Sequence, residues 1–223
     1  MRRLGNRDKL MSSNRRTGES MKIAIIGTGR VGRAIGGGLS KAGHDVVFAS
    51  RNPAEQSGLP APTADVSSAV SGADAVVDAI PGGAVMKVLN SLGTAMLAGK
   101  ILIEVANDLS PNFELSYPNA SLGAAIQETF PRTFVVKTLN TIQAPLMNNP
   151  ASLPAASTVF LAGNDAEAKS TVSGLLTDLG WQPEWQIDLG DISQARATEH
   201  FIFLSFAISR SLDTVNLNIS VIR

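Results

Sequence analysis

The chain has 223 residues, with 19 basic and 19 acidic side chains, no cysteine and two histidines. This length fits one domain, or one domain with a small appendage, and an apolar share of 44% argues against a disordered chain. The lack of cysteine excludes disulfides and thiolate nucleophiles, and two separated histidines argue against a histidine-rich metal site. No apolar run is long enough to span a bilayer, and zero net charge gives no reason to expect a nucleic-acid or membrane partner.

The charge is unevenly placed along the chain. Residues 1–20 carry six basic and two acidic side chains, a net charge of +4, and show almost no apolar periodicity. We therefore expect a disordered basic tail, followed by a strand that begins at Met21. The tail lacks the apolar segment of a secretory signal, so we expect a cytoplasmic protein. Its Arg- and Ser-rich composition is also compatible with an organelle transit peptide, or with a leader from an upstream start codon.

Strand-like and helix-like segments alternate from residue 22 onward. Apolar runs predict strands at 22–27, 44–49, 75–80, 100–105, 133–137, 158–162 and 187–189. Helices are predicted up to about residue 42 after the first strand, and then at 66–71, 84–97, 120–129, 165–179 and 192–212. This alternation predicts an α/β fold with a doubly wound parallel sheet and right-handed crossovers.

A glycine-rich turn follows the first predicted strand and opens the first helix. The turn reads Gly27-Thr28-Gly29-Arg30-Val31-Gly32. This is a G-x-G-x-x-G pattern inside a βαβ unit, where Gly27 permits the tight turn, Gly29 admits a pyrophosphate and Gly32 allows close helix packing. Free N–H groups and the helix dipole favour phosphate, so the turn predicts a dinucleotide site on a Rossmann fold. The alternative is a glycine-rich turn without a ligand.

The end of the second strand distinguishes NAD from NADP. NAD sites usually carry Asp or Glu there to bind the ribose 2′-OH, whereas this chain has Ser50 and Arg51. A hydroxyl and a guanidinium suit a 2′-phosphate through charge-assisted hydrogen bonds, so the sequence favours NADP. The alternative is that Arg51 is a solvated loop residue, and Glu55 nearby would repel a 2′-phosphate if it faced the site.

Polar residues lie near the ends of later strands, at the edge where open α/β sheets bind ligands. Lys137 and Asn140 could contact a hydride acceptor or the nicotinamide carboxamide, and strand-end packing with an asparagine turn explains them equally well. Asn107, after the preceding strand, carries the same ambiguity. Asp78 is unusual within a buried strand, so it is either an edge residue or hydrogen-bonded.

The prolines of segment 145–154 suggest a linker between two units. We therefore expect an NADP-binding Rossmann domain at 21–145 and a small C-terminal α/β unit at 146–223, which ends in the long helix. That helix carries Phe201, Phe203, Phe206 and Ile208 on more than one face. Such a surface predicts a homodimer, and burial against the sheet is the alternative.

Four segments, IGTGRVG, SRNP, AIPGG and KTLNTI, occur in this order along the chain. Together they resemble the F420-dependent NADP oxidoreductase family and the related NADPH domain of six-transmembrane metalloreductases. The resemblance runs from about residue 22 to residue 212. The Ser-Arg pair combined with Lys-x-x-Asn-Thr-Ile is its more specific part.

The resemblance implies roles for several residues. Thr28 would sit in the phosphate turn, Ser50 and Arg51 would hold the 2′-phosphate, and Ile80 and Pro81 would lie at the nicotinamide. Asn140 matches the asparagine of the bacterial and metalloreductase pattern, and Arg196 and Glu199 resemble a recurring Arg-x-x-Glu. The chain departs from members that use F420 at three positions. Those members often carry a basic residue in place of Glu55 and a bulky aromatic in place of Gly82. The archaeal members have His in place of Asn140.

Hydride transfer between two bound cofactors needs little acid–base help, which suits a sequence poor in catalytic candidates. We therefore expect an NADPH-dependent oxidoreductase that transfers hydride between NADP(H) and a small-molecule acceptor, either F420 or a flavin, with Asn140 as the candidate orienting residue. The alternatives are a reductase of a small carbonyl or imine, which usually needs a larger helical domain, and a non-catalytic NADP-binding sensor. The sequence leaves the acceptor and the direction of the reaction open.

The acceptor cleft is expected at the carboxyl ends of the strands. Pro81 and Asn140 would flank the nicotinamide, and Gly82 with Gly83 would leave room for a flat acceptor. The helix carrying Arg196 and Glu199 would form the opposite wall.

Overall fold

The computed structural model describes residues 20–222, so the predicted tail lies outside it apart from Ser20. The strands are Lys22–Ile26 (β1), Asp45–Ala49 (β2), Thr63–Ala64 (β3), Ala75–Asp78 (β4), Ile101–Glu104 (β5), Phe134–Thr138 (β6), Val159–Gly163 (β7) and Gln186–Asp188 (β8). The helices are Arg30–Lys41 (α1), Val66–Ser71 (α2), Gly82–Leu92 (α3), Thr94–Leu97 (α4), Leu122–Thr129 (α5), Ala166–Asp178 (α6) and Ala195–Leu212 (α7). None of these helices is both long and apolar enough to cross a membrane.

The strands form one sheet in the order β3-β2-β1-β4-β5-β6-β7-β8. The first six follow the strand order of a doubly wound dinucleotide-binding fold, and all pairs among them are parallel. The predicted Rossmann α/β class is therefore confirmed. The winding reverses between β1 and β4, and a crevice forms there because the connections leave on opposite faces of the sheet.

Alternate residues of each central strand contribute to two separate cores, one on each face of the sheet. Ile23 and Ile25 of β1 pack with α1 and α6, whereas Ala24 and Ile26 pack with α2, α3 and α5. Both faces are covered, so the strands are apolar throughout rather than alternating. This explains why the runs predicted as strands are almost uninterrupted in the sequence.

Local signals set several helix boundaries. α2 begins after Asp65, as predicted, because the Asp65 carboxylate accepts a hydrogen bond from the Ser68 N–H at 3.0 Å. The helix predicted at 84–97 is instead two helices, because the chain turns at Gly93, whose φ is 79°. The long C-terminal helix is confirmed, preceded by a 3-10 turn at Ile192–Gln194.

One pair of strands departs from the predicted parallel sheet, because β7 runs antiparallel to β6. Residues 139–158 between them contain two 3-10 turns and no α-helix, so the chain reverses instead of crossing over. β7 and β8 extend the sheet beyond residue 145, so both predicted units share one sheet. Their division into two domains stays a prediction.

Candidate functional site

Two adjoining cavities lie at the carboxyl ends of β1 and β4. The first, of about 590 Å³, is lined by the glycine turn and the end of β2, and the second, of about 630 Å³, extends toward β5, β6 and α7. Both include Gly29, Ala79, Ile80 and Pro81 in their walls. They therefore form one continuous cleft at the place where open α/β sheets bind ligands.

The glycine turn forms the bridge between the two cavities. Gly27 has a φ of 121°, and a Cβ there would lie 2.3 Å from the Ala79 carbonyl oxygen. A Cβ on Gly32 would lie 2.2 Å from the Gly27 oxygen, whereas a Cβ on Gly29 would have no atom outside its chain neighbours within 4 Å. Gly27 thus permits the tight turn, and Gly32 permits close packing of α1 against that turn. Gly29 leaves open space toward the cleft. This geometry fits a bound pyrophosphate.

Helix α1 presents its amino terminus to the same cleft. Its N-cap residue, Gly29, makes no side-chain hydrogen bond, so the first N–H groups lack the cap that Asp65 gives α2. Arg33, which was not among the predicted site residues, donates to the Thr28 oxygen at 3.0 Å and to the Gly58 oxygen at 2.8 Å. Arg33 therefore holds the turn against the loop that follows β2.

The end of β2 places the predicted 2′-phosphate residues at the outer end of the first cavity. Ser50 and Arg51 both line it, and Arg51 is exposed with no hydrogen-bond or ion-pair partner among residues 20–222. The Ser50 oxygen accepts from the Asn52 N–H at 3.2 Å and keeps its own proton to donate. Glu55 does not line the cavity, and its carboxylate accepts from the Asn52 side chain at 2.9 Å.

The second cavity contains the remaining predicted residues. Arg30, Val31, Asn107 and Asn140 line it, and the two asparagines bond to each other twice. Asn107 Nδ2 donates to the Asn140 backbone oxygen at 2.8 Å, and Asn140 Nδ2 donates to Asn107 Oδ1 at 3.0 Å. Leu139, just before Asn140, has a left-handed backbone with a φ of 60°, which costs a non-glycine residue about 1–2 kcal/mol. A strained residue beside a cleft is common at functional sites.

Helix α7 forms the opposite wall of the second cavity, although not through the predicted residues. Ile202, Ser205, Phe206 and Ser209 line it. Glu199 is instead buried beneath the cleft, at 1% exposure, and Arg196 is exposed outside it. Among the lining residues that the structure describes, Arg30 is the one ionisable side chain.

Two expectations about neighbouring residues need correction. Lys137 does not line the cleft, because it is 1% exposed and donates to the Ala106 oxygen at 2.5 Å and to Glu199 at 2.9 Å. The packing interpretation of Lys137 is therefore correct. Gly82 does not simply leave room for an acceptor, because its Cβ would lie 2.4 Å from both the Asn107 oxygen and the Asp108 Cα. Gly82 permits a close approach of two backbones.

Asp78 is hydrogen-bonded rather than an edge residue. β4 lies inside the sheet, and Asp78 Oδ1 accepts from the Val105 N–H at 3.0 Å. Glu104, which is fully buried and paired with Lys137, was not among the predicted residues. The signal for Glu104 was a single carboxylate within the apolar run KILIEV.

Comparisons with known proteins agree with this geometry. Residues 22–108 match the family model described as NADP oxidoreductase, coenzyme F420-dependent. The crystal structure of a proposed F420-dependent NADP reductase from Arthrobacter sp. FB24 is 37% identical, with a TM-score of 0.84 over 92% of this chain and 100% of that chain.

More distant solved structures share the fold. A hypothetical protein from Sinorhizobium meliloti is 25% identical, with a TM-score of 0.65 over 78% of this chain and 88% of that one. An imine reductase from Aspergillus terreus, solved with NADPH4, is 17% identical, with a TM-score of 0.65 over 87% of this chain and 63% of that one. The extent and identity of the Arthrobacter match decide the assignment. The chain belongs to the F420-dependent NADP oxidoreductase family and is an NADP-dependent oxidoreductase.

Proposed function

We propose that this enzyme transfers hydride between NADP(H), bound along the cleft, and a flat tricyclic acceptor, either the deazaflavin F420 or a flavin. The glycine turn would hold the pyrophosphate, Ser50 and Arg51 the 2′-phosphate, and the second cavity the nicotinamide and the acceptor. The protein's own residues then bind and align two cofactors, and the cofactors supply the redox chemistry.

The observation that carries the proposal is the chemistry of the second cavity. Arg30 is its one ionisable side chain, and the other described lining residues are apolar or carry neutral amides and hydroxyls. Reduction of a carbonyl or an imine places a proton on the oxygen or nitrogen, which usually needs a positioned acid of matched pKa. Hydride transfer to a deazaflavin or flavin needs alignment more than such an acid.

The volume of the cavity also suits this assignment. About 630 Å³ lies within the range of small-molecule sites, and its walls are mainly apolar, from Ile80, Val105 and Ile142 to Phe206. Apolar walls exclude water around a planar ring system and leave its orientation to a few polar groups. The Asn107–Asn140 pair supplies such groups at the end of the sheet.

The test is stopped-flow absorbance at the nicotinamide band. Purified protein with NADPH is mixed in separate arms with F420, FMN, FAD, a quinone, a ferric chelate and a series of small carbonyl and imine compounds. We expect NADPH oxidation with F420 or with a flavin, and the separate arms distinguish the two. The proposal would be overturned by rapid turnover of a carbonyl or imine without turnover of F420, FMN or FAD. It would also be overturned if no acceptor were turned over.

A further inference from the structure

A cluster of buried charged residues lies directly beneath the cleft. Asp78, Glu104 and Lys137 are register partners on the adjacent parallel strands β4, β5 and β6, so their side chains stand side by side. Glu199 reaches the same cluster from α7. All four residues are at most 1% exposed, and none of them lines the cleft.

The cluster holds the backbone at the end of β5 at three points. Asp78 accepts from the Val105 N–H at 3.0 Å, and Glu104 accepts from the Ala106 N–H at 2.7 Å. Lys137 donates to the Ala106 carbonyl oxygen at 2.5 Å. Side chains of the cluster, rather than another strand, thus bind these backbone groups where the sheet ends.

This held backbone is also a wall of the cleft. Val105, Ala106 and Asn107 line the second cavity, and Asn107 in turn fixes Asn140 through their two hydrogen bonds. The Asn107 oxygen lies so close to Gly82 that a Cβ there would be 2.4 Å away. A shift of Ala106 would therefore move both asparagines that face the predicted nicotinamide position.

Stability alone does not explain such a cluster. Removing charges from water costs free energy, and a buried ion pair can often be replaced by apolar side chains without loss of stability. Burial would lower the pKa of Lys137, and the Glu104 and Glu199 carboxylates together outweigh burial and raise it. The ammonium therefore stays charged and keeps all three acceptors. Glu199 also accepts from the Leu122 N–H at 3.0 Å, which ties α7 to the first turn of α5.

We propose that Lys137 is a positioning residue: through Glu104 and the Ala106 carbonyl it fixes Asn107 and Asn140 at the nicotinamide end of the cleft. The inference rests on the proposed NADP site and assigns Lys137 no contact with the cofactor. It predicts different effects at the two ends of the cleft, because the cluster side chains make no hydrogen bond to the glycine turn, Ser50 or Arg51 among the described residues.

The experiment compares two ligands in the full-length protein by calorimetry, NADPH and 2′,5′-ADP, which carries the 2′-phosphate but lacks the nicotinamide. Lys137→Met keeps an unbranched side chain, one atom shorter, and removes its charge. We expect NADPH affinity to fall about tenfold and 2′,5′-ADP affinity to change less than about twofold, since only the nicotinamide end loses its positioning. If Lys137→Met does not fold, Glu104→Gln is measured instead. In the wild type Oε1 accepts from the Ala106 N–H and Oε2 accepts from Lys137, and the variant keeps only one oxygen for these two places, so we expect a smaller loss with the same selectivity.

The matched control is Lys169→Met. Lys169 also pairs with a carboxylate, Asp188, and donates to a backbone oxygen, that of Gly190 at 3.0 Å, but it does not line the cleft. We expect it to change neither affinity. Equal losses of both ligands in Lys137→Met, or an unchanged NADPH affinity, would overturn the positioning role. Wild-type protein that binds neither ligand would overturn the NADP site itself, and the positioning role with it.

Discussion

At the scale of single residues, we expect Arg51 to decide which dinucleotide binds. The guanidinium is exposed, lines the first cavity and has no partner among residues 20–222, so it is free to bind a 2′-phosphate. Loss of a charge-assisted phosphate contact should cost about 1.5–3 kcal/mol. Calorimetry on Arg51→Ala should therefore show NADPH binding weakened by roughly 10- to 150-fold, with NADH binding nearly unchanged. Arg132→Ala, at the opposite end of the sheet, is the control, and equal losses of NADPH and NADH would contradict the assignment.

Gly29 offers a second test at the residue scale, because a side chain there should block cofactor binding without disturbing the fold. Its φ of −77° is open to any residue, and a Cβ would contact nothing beyond its chain neighbours. Gly29→Val should therefore keep the melting temperature within a few degrees and abolish binding of NADPH and 2′,5′-ADP alike, by blocking the approach of the pyrophosphate. Gly72→Val, also exposed and open but distant from the cleft, should bind both normally. Normal NADPH binding by Gly29→Val would place the phosphates elsewhere.

At the scale of elements, β4 carries a carboxyl group whose ionisation opposes folding. Burial raises the pKa of Asp78 well above its ordinary 3.8, the adjacent Glu104 adds to this, and Oδ2 has no hydrogen-bond partner among the described residues. A carboxyl with a raised pKa in the folded state stabilises the fold at low pH, and that contribution is lost as the pH rises from about 3.8 through the raised value. Burial likewise raises the pKa of Glu104 to about 7, against the opposing effect of Lys137.

Asp78→Asn should remove the part of the pH dependence of stability that comes from the Asp78 carboxyl. Urea unfolding should show the variant gaining stability relative to wild type as the pH rises, with the two converging at acidic pH. Asp65→Asn is a control of opposite sign, since hydrogen bonds from Ser68 lower the pKa of the Asp65 carboxyl. That variant should be less stable than wild type near neutral pH and converge with it on acidification. A constant difference between Asp78→Asn and wild type at every pH would contradict the raised pKa.

The same elements show what a sequence can and cannot predict. β1, α1 and α2 follow from apolar runs, glycine spacing and the Asp65 cap, all of which are local signals. β3 is only two residues long and has no such signal, and the antiparallel pairing of β7 depends on how residues 139–158 turn. The residues around the cleft were predictable because strand ends converge at one edge of a parallel sheet.

The buried cluster was not predictable in the same way. Asp78, Glu104 and Lys137 each interrupt an apolar run, but they lie up to 59 positions apart, and their contact depends on the strand order and register. Glu199 was noticed only through its resemblance to a family motif, which places it on the last helix without saying what it binds. Its partners, Lys137 and the first turn of α5, require the packing of α7 against the sheet.

At the scale of the whole molecule, α7 leaves an exposed apolar surface that borders the cleft. Phe203, Leu204 and Phe206 are 38%, 54% and 48% exposed, and Phe113 stacks edge-on against both phenylalanines. Leu212, in the last turn of α7, and Val215, just beyond that helix, are exposed as well. Burial against the sheet, the alternative to an interface, does not account for these side chains. A concentration of exposed apolar side chains usually marks a contact with another protein.

We propose that a second copy of the chain covers this surface, so that the exposed side of α7 becomes the dimer interface. Leu204→Glu places a charge at the most exposed of the side chains Phe203, Leu204 and Phe206, where desolvation without a partner is costly. Sedimentation equilibrium should show wild type as a dimer and Leu204→Glu as a monomer with NADPH binding retained, because Leu204 does not line the cleft. Phe134→Glu makes the same kind of change at the start of β6, at the opposite end of the sheet, and should remain dimeric. A monomeric wild type, or a dimer that persists in Leu204→Glu, would contradict this assignment of the interface.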